Sequence, residues 1–210
     1  DFTPLMMIAR SPYRLVIYPG VTATTMQEFI ALGRAKPGSM NFGSAGAGSA
    51  VHLAAELLLR QTGVRMTHVP YKGSGPAMVD LIAGQIQMVL GGTLSTAPHI
   101  KTGRARALAV TSLQRSSALP DVPTLDESGL KGFEAVAWNG LTAPAKTPRD
   151  IVMKINADVI KIVSSPELRE RLKADGSDPV GNSPEQYSTF LRNEIAKWAK
   201  TVKEMGIKGE

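Results

Sequence analysis

Phe42-Gly43-Ser44-Ala45-Gly46-Ala47-Gly48-Ser49-Ala50 decides how this chain is read. The apolar run from Met40 to Phe42 ends a buried strand, the glycines form a loop, and an apolar helix starts at Ser49. Glycine reaches backbone angles that other residues avoid, so the N–H groups of such a loop can turn inward. The first N–H groups of a helix have no partner within it, and the helix dipole favours negative charge beside them. The stretch is therefore either a tight strand-to-helix turn, common in α/β folds, or an anion site.

The same pattern recurs downstream. Met66 to Val69 reads as a strand, followed by the loop Pro70-Tyr71-Lys72-Gly73-Ser74-Gly75 and a helix with Pro76 in its first position and Met78, Val79, Leu81 and Ile82 on its apolar face. Ile86 to Leu90 is a further strand, and Gly91-Gly92-Thr93 opens a third loop before a short helix around Ala97 to Lys101 and a buried strand, Arg106 to Val110. Strands alternating with helices at this spacing imply βαβ units and a parallel sheet. Right-handed crossovers then bring all three glycine loops to the carboxyl edge of that sheet, where open α/β sheets bind ligands.

Upstream, Leu5 to Ala9 and Leu15 to Tyr18 read as two short strands parted by Arg10-Ser11-Pro12, and Thr24 or Thr25 caps a helix ending at Pro37-Gly38. Downstream, Phe133 to Trp138 alternates as a half-wet strand, Asn139-Gly140 interrupts pairing, and Leu141 to Ala143 resumes it. The remainder is nearly all helix. Ile151, Ile155, Val159 and Ile162 share one face, and Ser183-Pro184-Glu185-Gln186 is a capping box opening a long helix. Its stripe of Tyr187, Phe190, Leu191, Ile195, Trp198, Val202 and Met205 needs a partner that the tail's few strand residues do not supply; an oligomer or a missing segment is expected to cover it.

Composition narrows the function. The 210 residues suffice for one large domain or two small ones, with 43% hydrophobic and 20% charged residues. No apolar run is long enough for a membrane span. Without cysteine there is no disulfide, thiolate metal site or cysteine nucleophile. The net charge of +6 is spread over helix faces beside acidic residues, and aromatic residues are only 5%, so a solvated basic surface is expected and not a nucleic-acid platform. The opening Asp1-Phe2-Thr3-Pro4 has neither an initiator Met nor a signal-peptide pattern, which leads to the expectation of a removed leader or a fragment.

The glycine loop fails the known phosphate patterns. A P-loop from Gly43 needs Lys where Ser49 stands, and a dinucleotide fingerprint from Gly46 needs Gly where Val51 stands. A nucleophile elbow on Ser44 needs Gly in place of Phe42. His52, His68 and His99 form no i, i+4 pair. His52 is either a satisfied, partly buried histidine or an anion donor; Lys72 pairs with a carboxylate or is solvated; Tyr71 suits a pocket wall; Asp80 and Glu56 read as solvated helix residues. The pocket is built to hold an anion and not to transform it.

Phe42-Gly43-Ser44-Ala45-Gly46 and His68-Val69-Pro70-Tyr71-Lys72-Gly73 resemble the extracytoplasmic solute receptors of the tripartite tricarboxylate transporter family, the Bug or TctC-like proteins. The likeness continues through Pro98-His99-Ile100, Arg106 to Thr111, Leu119 to Thr124, Ser128-Gly129, Ala143-Pro144 and Arg169 to Leu172, and covers essentially the whole chain. It implies a two-lobed α/β fold of the type II periplasmic-binding-protein kind with a ligand cleft between the lobes. Residues 21–138 would form one complete lobe with a parallel-rich sheet, and residues 1–20 with 139–210 the helical remainder of the other. The family's Pro-Phe-x-x-Gly-Gly loop is not found, so about a third of a family member would be missing at the N-terminus.

Carried over by position, the resemblance implies ligand contacts from Ser44, Ala45, Gly46, Gly48 and Ser49, with the two serine hydroxyls and the helix N–H groups holding a carboxylate, and from Tyr71, Lys72 and Gly73. Gly91 and Gly92 stand where the family often has an acidic residue; this favours a ligand carrying only carboxylates, or is a packing variation. The implied function is capture of a small carboxylate (a di- or tricarboxylate, amino acid or aromatic acid) in the periplasm and delivery to membrane permease subunits. No cofactor, metal, catalysis, nucleic acid or membrane insertion is implied, and the complete protein would be a monomer exported with a signal peptide absent from this chain. The alternative is the effector-sensing domain of a transcription regulator, which shares the fold but needs a helix-turn-helix module that is not visible.

Overall fold

In a computed structural model, described for residues 1–206 apart from the side chain of Met205, the chain runs almost without pause from β1 (Phe2–Pro12) into β2 (Arg14–Ile17). The break foreseen at Arg10-Ser11-Pro12 does not form. β1 carries its pairing through Arg10, and Pro12, which lacks an N–H, closes it. Next come α1 (Met26–Ala35), β3 (Asn41–Ser44), α2 (Ala50–Thr62) and β4 (Thr67–Pro70). They are followed by α3 (Ser74–Ile82), β5 (Met88–Gly91), α4 (Thr93–Lys101) and β6 (Arg106–Val110). After an irregular stretch come β7 (Val136–Pro144), α5 (Arg149–Val163), α6 (Pro166–Ala174), β8 (Asp178–Pro179) and α7 (Pro184–Met205).

The described residues form two compact units: residues 1–11 with 137–200, and residues 12–136 with 201–206. The larger unit is built on a five-stranded sheet in the order β4-β3-β5-β2-β6. β3 is parallel to both β4 and β5, so the loops after these three strands do share one edge. β2 lies antiparallel between β5 and β6, with Arg14 opposite both Gly91 and Val110. This strand, grouped with residues 1–20 on sequence grounds, therefore belongs to the larger unit's sheet. Its run Leu15-Val16-Ile17 is fully buried because both faces are covered. Val16, Ala77, Met78, Leu81, Ile86 and Val89 form the core behind one face.

Local chemistry sets the helix ends. Thr25 and Glu28 exchange bonds in a capping box that starts α1. Ser49 caps α2, and Gly63, at a φ of +66°, ends it in the left-handed region that glycine tolerates. Pro76 is the third residue of α3 and not the first; it is still within the first turn, where a missing N–H loses no helical bond. α4 starts four residues earlier than its sequence suggests, because Gly92 can cap it.

In the smaller unit a three-stranded sheet, β7-β1-β8, carries the helices. β7 runs unbroken through Asn139-Gly140. Gly140 is there for space: a Cβ would collide with the Tyr187 hydroxyl and lie 2.9 Å from the Met6 carbonyl. Tyr187 is thereby 1% exposed and meets Trp138 edge-on at 6.0 Å. The head of the α7 stripe thus finds its partner in this sheet, contrary to expectation, while Ile195 further along is 68% exposed. The Met205 end of the stripe lies outside the described side chains. No described helix is long and apolar enough to cross a membrane.

Candidate anion site at the glycine-loop edge

At the carboxyl end of β3 the backbone turns at Gly46 (φ +129°) and Gly48 (φ +73°), angles that L side chains rarely adopt. Ser44 is 1% exposed, and its hydroxyl is used inside the loop. It lies 2.7 Å from His68 Nε2, accepts from the Gly46 N–H at 3.1 Å and sits 3.0 Å from the Gly46 carbonyl. One hydroxyl has one proton, so all three contacts are satisfied together only when His68 Nε2–H donates to Ser44 and Ser44 donates to Gly46. Ser49 is likewise engaged, donating to the Gly46 carbonyl at 2.7 Å and capping the His52 N–H.

Phe42, His68 and His52 stack beneath this loop, with the two imidazoles 3.9 Å apart and Phe42 4.9 Å from His68. His52 Nδ1 accepts the Gly48 N–H at 3.1 Å, so its proton is on Nε2, which faces Glu56 at 3.6 Å. Burial holds both histidines neutral: it pushes His68 down to about 4, helped by His52, and lowers His52 against the opposing pull of Glu56. His52 is therefore the satisfied, buried histidine of the two alternatives. Two imidazoles and two hydroxyls fasten the loop from below.

This scaffold leaves the N–H groups of Ala45, Ala47, Ala50 and Val51 without a protein acceptor among the described residues. Four donors at a turn and a helix N-terminus suit an anion. The Ser44 and Ser49 hydroxyls, expected as ligand contacts, are both engaged within the loop in this structure.

The second loop is brought alongside. The Tyr71 N–H donates to the Ser44 carbonyl at 3.2 Å, and the Tyr71 carbonyl lies 3.5 Å from the position of a Cβ on Gly46. The Tyr71 ring packs against Gly43, and its hydroxyl donates to Asp80 at 2.7 Å. Asp80 is thus not a solvated helix residue. Burial and Asp80 together push the Tyr71 phenol up to about 12. Lys72 is exposed, and Gly73 (φ +111°) caps α3. In the third loop Gly91 is buried, and a Cβ there would meet Thr96 Cγ2 at 2.7 Å and Ser95 Oγ at 3.0 Å. The packing reading of that glycine is the physical one: α4 sits too close for a side chain.

Arg14 is the functional candidate the sequence did not single out. It is 1% exposed at the same sheet edge, and its one side-chain polar contact among the described residues is a long one, Nη1 to Thr96 Oγ1 at 3.4 Å. Its signal was present: it is the only charge in an otherwise apolar strand and, by alternation, shares a face with buried Val16. A concavity of about 570 Å³ lies at the far end of α2, between Glu56 and Met66. Among the described residues no three His, Cys, Asp or Glu side chains gather as a metal site.

Comparison with known proteins follows the same lines. The family described as "Tripartite tricarboxylate transporter family receptor" matches residues 1–207. The chain is 38% identical over 205 residues to the "UPF0065 protein in tcbD-tcbE intergenic region" of Pseudomonas sp. (strain P51), covering 97% of this chain and 61% of that protein. It is 36% identical over 208 residues to "Protein BugT" of Bordetella pertussis, covering 99% and 64%. The chain thus spans less than two thirds of the length of these relatives. Among solved structures, R. palustris Rpa4515 with adipate superposes with a TM-score of 0.87 at 35% identity, over 99% of this chain and 69% of that one. MatC (Rpa3494) from Rhodopseudomonas palustris with bound malate gives 0.81 at 32%, over 96% and 70%. The fold is the α/β fold of these periplasmic binding proteins.

Proposed function

Because the chain belongs to the tripartite tricarboxylate transporter family of receptors, we propose that it serves as a periplasmic solute receptor for a small carboxylate, which it passes unchanged to a tripartite-type membrane permease. The observation that carries the reading is the loop from Ser44 to Ser49, with the N–H groups of Ala45, Ala47, Ala50 and Val51 open among the described residues and the Ser44 and Ser49 hydroxyls committed to the loop itself. Charge-assisted bonds from such donors contribute roughly 1.5–3 kcal/mol each, so a few of them reach micromolar affinity after the cost of ordering the ligand. Gly46, Gly48 and Gly73 set the backbone, Tyr71 walls the neighbouring loop, and exposed Lys72 adds long-range attraction for an anion. Adipate and malate, the ligands of two similar receptors, define the class to try first. Calorimetry of the purified full-length protein against di- and tricarboxylates, amino acids and aromatic acids tests it. Saturable micromolar binding of at least one carboxylate is expected, and silence across the panel would count against the reading.

A further inference from the structure

We propose that Arg14 and the N-terminus of α4 form a second anion site, one that takes a second carboxylate of the ligand and makes the protein selective for dianions; this rests on the receptor reading above. Arg14 is the largest fully buried side chain of the protein. No carboxylate among the described residues pairs with it, and its Nε is buried without any partner. A buried cation in that state is strongly unfavourable unless something supplies the opposite charge.

The surroundings make the imbalance worse and show where the missing charge goes. Arg14 lies directly across from Gly91, whose lack of a side chain lets the first turn of α4 close over it. Its Nη1 reaches Thr96 in that turn. The Thr96 and Ser95 hydroxyls both donate to the Gly92 carbonyl, so neither supplies an anionic partner. The Thr93 hydroxyl oxygen is buried without a hydrogen-bond partner among the described residues. The N–H groups of Thr93, Leu94 and Ser95 at the helix start have no acceptor among the described residues. A buried guanidinium thus touches the first turn of a helix whose opening N–H groups and Thr93 hydroxyl are unpartnered among the described residues, and an anion there would meet the needs of all of them. β5 alone separates β3 from β2, so this site and the Ser44–Ser49 loop lie about two strand spacings apart, about 10 Å. A dicarboxylate with a short carbon chain bridges that span.

The test uses the full-length protein with Arg14→Met, Arg14→Lys and the wild type. Adipate, its monomethyl ester and sodium sulfate are the probes, read by calorimetry and by thermal unfolding. Without added anion, R14M is expected to melt above the wild type, since it removes an unpaired buried charge; a side chain needed only for packing would lower the melting point instead. With adipate the wild type is expected to bind the diacid roughly tenfold or more tighter than the monoester, and R14M to lose most of that ratio. R14K, which keeps the charge but not the planar fork, should retain part of it. Carboxylate binding that R14M leaves unchanged in affinity and in diacid preference would overturn the second site while the receptor reading stands. No carboxylate binding, with sulfate stabilising the wild type and not R14M, would sink the receptor reading and keep the anion site. An R14M that fails to fold beside an R14K indifferent to anions would assign Arg14 to packing and overturn the proposal.

Discussion

The hydroxyl of Ser44 has three neighbours and one proton, and its removal tests the scaffold at the smallest scale. Ser44→Ala leaves His68 Nε2–H and the Gly46 N–H without acceptors in a nearly closed site. The expected cost is about 1–3 kcal/mol of stability, measured by denaturant unfolding. The imidazole pair makes a second prediction. Both histidines are held below their ordinary value of 6.5, His68 at about 4. The unfolded chain therefore takes up protons that the folded protein refuses. This contribution to stability is full above pH 6.5, falls as the pH drops, and levels off for His68 below about pH 4. Carboxylates such as Glu28 act in a lower window, below their ordinary 4.5, so the slope between pH 6.5 and 5 belongs to the histidines. Unfolding midpoints across that range should fall in the wild type and flatten in His68→Gln. At this scale the sequence was only partly legible. Ser44, Gly46 and Gly48 stand out from one strand-loop-helix pattern, whereas the pairing of Ser44 with His68, and of Tyr71 with Asp80, depends on which side chains the parallel strands and their helices bring face to face.

Among the elements, the helix after the glycine loop is set by its cap. Ser49→Ala removes the bond to the His52 N–H and the tie to Gly46, and about 1 kcal/mol of stability is expected to go with it. The strand β7 gives a sharper prediction. Gly140→Ala would thrust a methyl into Tyr187 and the Met6 carbonyl, one a ring buried on all sides and the other backbone. A loss of roughly 1–3 kcal/mol follows from overpacking, and its cost should be smaller when measured in a Tyr187→Phe background, which removes the hydroxyl that the methyl meets. Periodicity located nearly every strand and helix, because apolar spacing and caps are local properties. It placed a break at Gly140 because glycine weakens a strand in isolation; the ring that needs the gap is 47 positions away in sequence and is invisible to any local pattern. α4 begins at Thr93 and not near Ala97 because its N-cap is Gly92, which carries no side-chain capping signal.

For the whole molecule, alternation of strands and helices was enough to place three loops on one edge of a parallel-rich sheet, and the pairing of β3 with β4 and β5 bears this out. The antiparallel insertion of β2 was not legible, since a strand's partners are chosen by long-range topology and its sequence reports only that both faces are buried. That insertion matters, because it delivers Arg14 to the loop edge. The most direct measurement is calorimetric titration of the full-length protein with adipate and malate, beside adipamide, which matches adipate in shape but carries no charge. Micromolar binding of at least one of the two carboxylates, with adipamide giving no heat, is the expected result. Equal heat from adipamide and adipate, or no heat from these two or any other carboxylate of the panel, would contradict an anion held by the open backbone donors of the loop.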